Sequence, residues 1–112
     1  MRYEAGLASV ADRVIPPPII DAAVSAWALY TVRIPGGTRD GVQVALAEQG
    51  IPSVVYYPRA LHQQPAYAGC PRGAELRVSE LLCHEVLSLP MHPYIDEVVQ
   101  AEVIRTIVER GL

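Results

Sequence analysis

Proline residues are spread along this chain, and several of its predicted helices and strands end at one. Ten of the 112 residues are proline. The three consecutive prolines at residues 16–18 predict a stiff connector, because proline lacks an amide donor and holds the preceding residue in an extended conformation. Pro35, Pro58 and Pro90 each follow an apolar segment directly. The chain is therefore expected to fold from short helices and strands.

Apolar segments between the prolines predict three short strands. Residues 26–34 alternate between two faces and are rich in β-branched and aromatic residues, as is typical of a strand. Residues 54–57 are short and apolar enough for a buried strand, and residues 87–89 add a third. We expect an α/β (α+β) domain in which a short mixed or antiparallel sheet of about three strands is covered by helices in three-layer-like packing.

Capping residues and apolar stripes predict the helices. Residues 1–11 are typical of the end of a helix, and residues 59–77 lack any period and predict a long loop. Three further helices are expected, each after a capping residue. The first is capped by Thr38 and ends at Gly50, the second is capped by Ser79, and the third is capped by Asp96 and ends at Gly111. The expected apolar stripe of the first helix is Val42, Ala45 and Leu46, and that of the second is Leu81, Leu82 and Val86. The stripe of the third is Val99, Val103 and Ile107, flanked by Ile104 and Val108.

Composition and charge exclude several functional classes. A net charge of −3 without any basic run argues against nucleic acid or an anionic membrane as the main partner. No segment approaches the roughly 18 apolar residues of a membrane span. A signal peptide is not visible, so a cytoplasmic location is expected. All nine basic residues are arginine, so this chain alone cannot run Schiff-base chemistry.

Cysteine and histidine are too scattered to predict a metal site. Cys70 and Cys83 lie thirteen residues apart without a Cys-x-x-Cys arrangement. Cys83 and His84 are adjacent on a predicted helix, where their side chains diverge by about 100°. Neither a zinc site nor a Cys–His nucleophile pair is therefore expected.

Several short motifs follow one another in a specific order: Gly50-Ile51, Tyr56-Tyr57-Pro58, Leu61-His62, Gln64-Pro65-Ala66-Tyr67 and Leu87-Ser88-Leu89-Pro90-Met91. With residues 25–33 and Arg39-Asp40, they make nearly the whole chain resemble the C-terminal small domain of the DegT/DnrJ/StrS sugar aminotransferases, which are fold-type-I enzymes that use pyridoxal 5′-phosphate. Two features depart from the family pattern. Arg77 stands near a position where the family usually has proline, and residues 69–75 are unlike the usual loop.

The resemblance implies a domain organisation and a set of partners. Residues 1–13 would be the tail of an inter-domain helix and residues 14–112 the small domain. The large domain with its cofactor lysine would be missing, so the chain is expected to be a fragment that is inactive alone and binds no pyridoxal 5′-phosphate itself. Its expected partners are a large domain or a full-length paralogue, with a homodimer in the intact enzyme.

The resemblance also implies a reaction. The intact enzyme would transfer an amino group, typically from glutamate, to a keto-sugar nucleotide in polysaccharide or surface-glycan biosynthesis. The motif from Tyr56 to Tyr67 looks most like that of enzymes acting on UDP-linked 3-keto-N-acetyl sugars. Two other interpretations stay open: a non-catalytic binding or interaction module, and a truncated gene product without a role of its own.

Five side chains are the expected contacts to the nucleotide sugar: Tyr56, Tyr57, Arg59, His62 and Gln64. The resemblance implies that the Tyr-Tyr-Pro loop faces this substrate. Phenol, imidazole and amide groups suit sugar hydroxyls and carbonyls, and a guanidinium suits a diphosphate or a sugar carboxylate. None of the five is expected to be catalytic, because the difficult chemical step belongs to the cofactor.

Each candidate also has a structural interpretation. A Tyr-Tyr pair at a strand end usually packs one ring in the core and exposes the other, since successive side chains of a strand point to opposite faces. His62 alone would be an ordinary loop histidine, Gln64 would close the loop, and Arg59 would be a solvated charge. Which tyrosine faces substrate stays open.

Overall fold

The computed structural model describes residues 2–110 of the chain. Six regular elements follow one another there: α1 (Arg2–Leu7), β1 (Tyr30–Arg33), α2 (Arg39–Glu48), α3 (Arg77–Glu85), β2 (Val86–Leu89) and α4 (Glu97–Arg110). Short 3₁₀ helices lie at Ala8–Val10, Leu61–Gln63 and Pro65–Tyr67. Helices combined with an antiparallel sheet confirm the predicted α/β (α+β) class.

The sheet has two strands over residues 2–110, rather than about three. β1 and β2 are antiparallel, in the register Tyr30↔Leu89, Thr31↔Ser88, Val32↔Leu87 and Arg33↔Val86. The strand predicted over residues 54–57 is wrong, because only Val54 pairs, in a single bridge to Ser88. Pro52 and Pro58 flank this segment and cannot donate to a ladder, so the pairing does not extend.

Helix α2 matches its prediction closely, and its C-terminus shows why. Gly50 has a φ of +70°, which glycine adopts without a steric penalty. Its amide donates to the Ala47 carbonyl at 2.9 Å, and the Ile51 amide donates to the Leu46 carbonyl at 2.9 Å. These two bonds form a Schellman motif. At the other end Thr38 occupies the N-cap position, but its side chain makes no capping bond.

Helix α3 begins earlier than its expected cap. Its first residue is Arg77, so Ser79 lies inside the helix, where its carbonyl accepts a bond from the Cys83 thiol at 3.1 Å. Ser79 therefore does not cap α3. The expected stripe is also incomplete, because Leu81 is exposed and Val86 begins β2 instead. The residues that α3 buries are Cys83 and Glu85.

Helix α4 begins as predicted. The Asp96 carboxylate accepts a bond from the Val99 amide at 2.8 Å, so Asp96 caps the helix. Val103 and Ile107 are fully buried, as expected, but Val99 is exposed and Gln100 is buried instead. Gln100 faces α1, where Arg2 contacts its side-chain oxygen. The helix end expected at Gly111 lies outside the described residues, as does Met1.

The core lies between the sheet and helices α1, α2 and α4. Its fully buried side chains are Tyr3, Leu7, Val14, Tyr30, Val32, Ile34, Val42, Leu46, Leu87, Val103 and Ile107. The Tyr3 and Tyr30 rings lie 5.0 Å apart, and the Tyr3 hydroxyl donates to the Pro90 carbonyl at 2.8 Å. Helix α1 is thereby tied to the end of β2.

Buried Arg39 joins α2 to the junction of α3 and β2. Its guanidinium donates to the carbonyl of Val86 at 2.9 Å and to that of Cys83 at 3.2 Å. Its Nε also contacts the Asp40 carboxylate at 2.6 Å. These bonds hold α3, which forms one wall of the candidate site.

Alkaline pH is expected to weaken the fold through Tyr3. Burial, reinforced by Tyr30, raises the pKa of Tyr3 from 10.0 to about 12. A raised pKa in the folded state contributes stability that is complete below pH 10 and is lost as pH rises to 12, by about 2–3 kcal/mol. Urea unfolding between pH 8 and 12 measures this loss. Tyr3→Phe should reduce the loss, whereas exposed Tyr94→Phe should leave it unchanged; an equal loss in Tyr3→Phe would contradict the assignment.

Candidate functional site

The two adjacent tyrosines lie side by side at the surface. The ring centroids of Tyr56 and Tyr57 are 5.5 Å apart, and the ring planes meet at 60°. Tyr56 is 43% exposed and Tyr57 is 69% exposed, so neither ring is in the core. The structural alternative, in which one ring packs in the core, is therefore wrong, and so is the expectation that the two rings point to opposite faces. The strand alternation does not apply, because this segment is not paired beyond Val54.

Tyr57, Arg59, Leu61 and Gln64 surround one depression of about 420 Å³. The Gln64 amide donates to the Arg59 carbonyl at 3.5 Å, which closes the loop between them. Among residues 2–110, the Arg59 guanidinium has no hydrogen-bond or ion-pair partner. A guanidinium without a partner beside an exposed phenol can pair with an anionic group that enters the depression.

A second depression, of about 240 Å³, lies between the tyrosines and α3. Tyr56, Tyr57 and Arg59 form one side of it, and Leu82 and Cys83 of α3 form the other. The two depressions share Tyr57, Arg59 and Leu61. The fold therefore brings four of the five expected residues together, namely Tyr56, Tyr57, Arg59 and Gln64.

His62 does not line either of these two depressions. It lines a third cavity, of about 340 Å³, together with Leu61, Tyr67, Arg72 and Ser79. Leu61 lines this cavity as well as the other two, and Ser79 lines both this cavity and the second depression.

Glu80 is a contact of the site that the sequence did not predict. Its Oε1 lies 2.7 Å from Nε2 of His62, whose side chain is only 11% exposed. The two residues are eighteen positions apart, on a 3₁₀ turn and on α3 respectively. An acidic residue in the first turn of a helix is common, because it interacts favourably with the helix dipole, so the position of Glu80 in the sequence does not indicate a partner in the loop.

The residues present do not fit pyridoxal 5′-phosphate. Enzymes that use this cofactor hold it through an imine to a lysine amine, and the sequence contains no lysine. No lysine amine is therefore available in these 112 residues to form that imine. Over the part of the chain that the structure describes, no three histidine, cysteine or acidic side chains are grouped as metal ligands.

No helix between residues 2 and 110 is long and apolar enough to cross a membrane.

Two relatives indicate the kind of protein to which this chain is similar. It is 39% identical over 102 residues to the "Pleiotropic regulatory protein" of Geobacillus stearothermophilus, covering 90% of this chain and 27% of that protein. It is 44% identical over 73 residues to the UDP-2-acetamido-2-deoxy-3-oxo-D-glucuronate aminotransferase of Pseudomonas aeruginosa, covering 65% of this chain and 19% of that enzyme. The chain thus spans about a quarter or less of the length of these relatives.

Solved structures show the same fold. A DegT/DnrJ/EryC1/StrS aminotransferase from Brucella abortus superposes with a TM-score of 0.85 at 41% identity, over 96% of this chain and 28% of its own. The PMP form of the sugar aminotransferase Spr1654 from Streptococcus pneumoniae superposes with a TM-score of 0.77 at 25% identity, over 94% of this chain and 27% of its own.

The family profile covers almost the entire sequence. It is that of the DegT/DnrJ/EryC1/StrS aminotransferase family, and it matches residues 1–108. The profile, the sugar aminotransferase among the relatives and the superposed structures agree with the motif order in the sequence. This chain belongs to the DegT/DnrJ/EryC1/StrS aminotransferase family.

Proposed function

We propose that this chain supplies the C-terminal, substrate-facing part of a nucleotide-sugar aminotransferase. Its loop of Tyr56, Tyr57, Arg59 and Gln64 would bind the sugar nucleotide, with His62 as a further contact. Residues 14–112 would form the small domain, and residues 1–13 would be the tail of an inter-domain helix. The reaction would transfer an amino group from glutamate to a keto-sugar nucleotide for polysaccharide or surface-glycan synthesis, in the cytoplasm.

The partnerless Arg59 guanidinium beside exposed tyrosines is the observation that carries this proposal. A sugar nucleotide presents a diphosphate, hydroxyls and a flat base, and these features suit a guanidinium, phenols and aromatic faces respectively. The 44% identity to an aminotransferase named for a UDP-linked 3-oxo sugar supports a UDP-linked 3-keto-N-acetyl sugar as the substrate.

The cofactor lysine must then come from outside these 112 residues, in a large domain or in a full-length paralogue. Pyridoxal 5′-phosphate bound there would supply the electron sink for amino transfer. This chain's own residues would orient the sugar and cover the reacting centre, which excludes water. The intact assembly would be a homodimer.

Titration of the purified chain with UDP-N-acetylglucosamine tests the binding half of this proposal. Size-exclusion chromatography with light scattering first establishes that the sample is monodisperse. We expect amide shift changes in ¹⁵N-labelled protein to be concentrated at residues 56–64, at millimolar affinity, because only part of a site is present. A monodisperse, folded chain without shift changes in this loop would refute the assignment.

A further inference from the structure

We infer that Glu80 is a positioning residue for His62: its carboxylate holds the imidazole with the proton on Nε2, which leaves Nδ1 as an acceptor for a hydroxyl of the nucleotide sugar. The role of Nδ1 toward the sugar rests on the function proposed above. The effect of Glu80 on the ring does not, so the two parts can be tested separately.

The contact between the two side chains fixes which nitrogen carries the proton. Nε2 of His62 lies 2.7 Å from Oε1 of Glu80, which is the length of a strong, charge-assisted hydrogen bond. An ionised carboxylate can only accept, so the imidazole must be the donor at Nε2. In a neutral ring, Nδ1 then has a free lone pair and acts as an acceptor.

The surroundings keep the ring in this orientation. The side chain of His62 is 11% exposed, whereas that of Glu80 is 40% exposed, so the imidazole is enclosed while the carboxylate reaches water. Glu80 itself is anchored, because its amide donates to the Leu76 carbonyl at 3.1 Å in the first turn of α3. Buried Arg39 holds the other end of the same helix.

The position of His62 gives this orientation a consequence for specificity. The cavity that it lines shares Leu61 with the depression of Tyr57 and Arg59. A sugar nucleotide lying across Leu61 would place its charged part near Arg59 and its sugar near His62. An imidazole whose Nδ1 is an acceptor can bind a sugar hydroxyl, which donates, but not a carbonyl, which has no proton to donate. Glu80 would therefore determine which of these two sugar groups can bind beside His62.

Imidazole ¹⁵N spectra of the 112-residue chain test the effect of Glu80 directly. At a pH where the ring is neutral, we expect nearly all His62 to carry its proton on Nε2 in the wild type. Glu80→Ala should give a mixture of both tautomers, while Glu80→Gln, whose amide oxygen still accepts, should restore the Nε2–H form. Glu75→Ala removes another acidic side chain, 74% exposed, and should leave the ring unchanged. An identical tautomer population in Glu80→Ala and wild type would overturn the inference.

Binding of UDP-N-acetylglucosamine tests the remaining step. Glu80→Ala and His62→Ala should each weaken binding by about fivefold, which corresponds to one neutral hydrogen bond. The double variant should be no weaker than either single variant, because Glu80 acts through His62. Additive losses would overturn the positioning role. If the wild type shows no binding while the tautomer still depends on Glu80, the positioning of His62 stands and the proposed substrate is wrong.

Discussion

Replacing Arg39 with alanine is expected to lower the free energy of unfolding by about 2–4 kcal/mol. Arg39 is 8% exposed, and its guanidinium satisfies the carbonyls of Cys83 and Val86. Alanine would leave both carbonyls without this donor inside the protein and would add a cavity. Urea unfolding at pH 7, followed by circular dichroism, measures the change.

Arg105→Ala is the matched control for this experiment. Arg105 also lies on a helix, and its replacement by alanine removes the same charge. Its side chain, however, is 57% exposed, and its partner is Glu102, one turn away. We expect no measurable change in the free energy of unfolding, as is usual for exposed ion pairs. Equal losses in the two variants would show that Arg39 does not hold α3 against β2.

Replacing Arg59 with alanine is expected to weaken binding of UDP-N-acetylglucosamine about tenfold, which corresponds to about 1.4 kcal/mol for one charge-assisted bond in an exposed site. Its guanidinium has no partner within the described residues, so its removal should leave the free energy of unfolding unchanged. The same NMR titration measures the dissociation constant, and thermal unfolding measures the stability.

Two further variants distinguish a specific contact from a general effect of charge. Arg105→Ala changes the net charge equally and should leave the dissociation constant unaltered. Arg59→Lys retains the charge without the planar fork, so it should recover only part of the affinity. If Arg59→Ala binds as tightly as the wild type, Arg59 is a solvated surface charge and the depression beside Tyr57 does not hold the diphosphate.

The sequence predicted best what is determined within a few residues. Asp96 caps α4 and Gly50 ends α2 because each acts on backbone groups of its own turn, which lie next to it along the chain. The strand expected over residues 54–57 failed for the opposite reason. Its pairing depends on Ser88, more than thirty residues away, and one bridge is all that forms.

The candidate site shows the same division. The family resemblance and the chemistry of the side chains predicted five contact residues, and the fold places all of them except His62 around adjoining depressions. The sequence did not identify Glu80, because the contact with His62 depends on how α3 lies against the loop. The relation of the two rings was likewise mistaken, since strand alternation was assumed where no strand exists.

Under the proposed function, this chain performs the substrate-facing role of a nucleotide-sugar aminotransferase whose cofactor lysine lies elsewhere. The most direct measurement is kcat/KM for a chimaera in which the chain replaces the matching segment of the Pseudomonas aeruginosa relative, with which it shares 44% identity. We predict that this chimaera aminates the relative's 3-oxo sugar nucleotide and that Arg59→Ala within it raises KM about tenfold. A folded, cofactor-loaded chimaera that neither binds nor aminates the sugar nucleotide would contradict the claim.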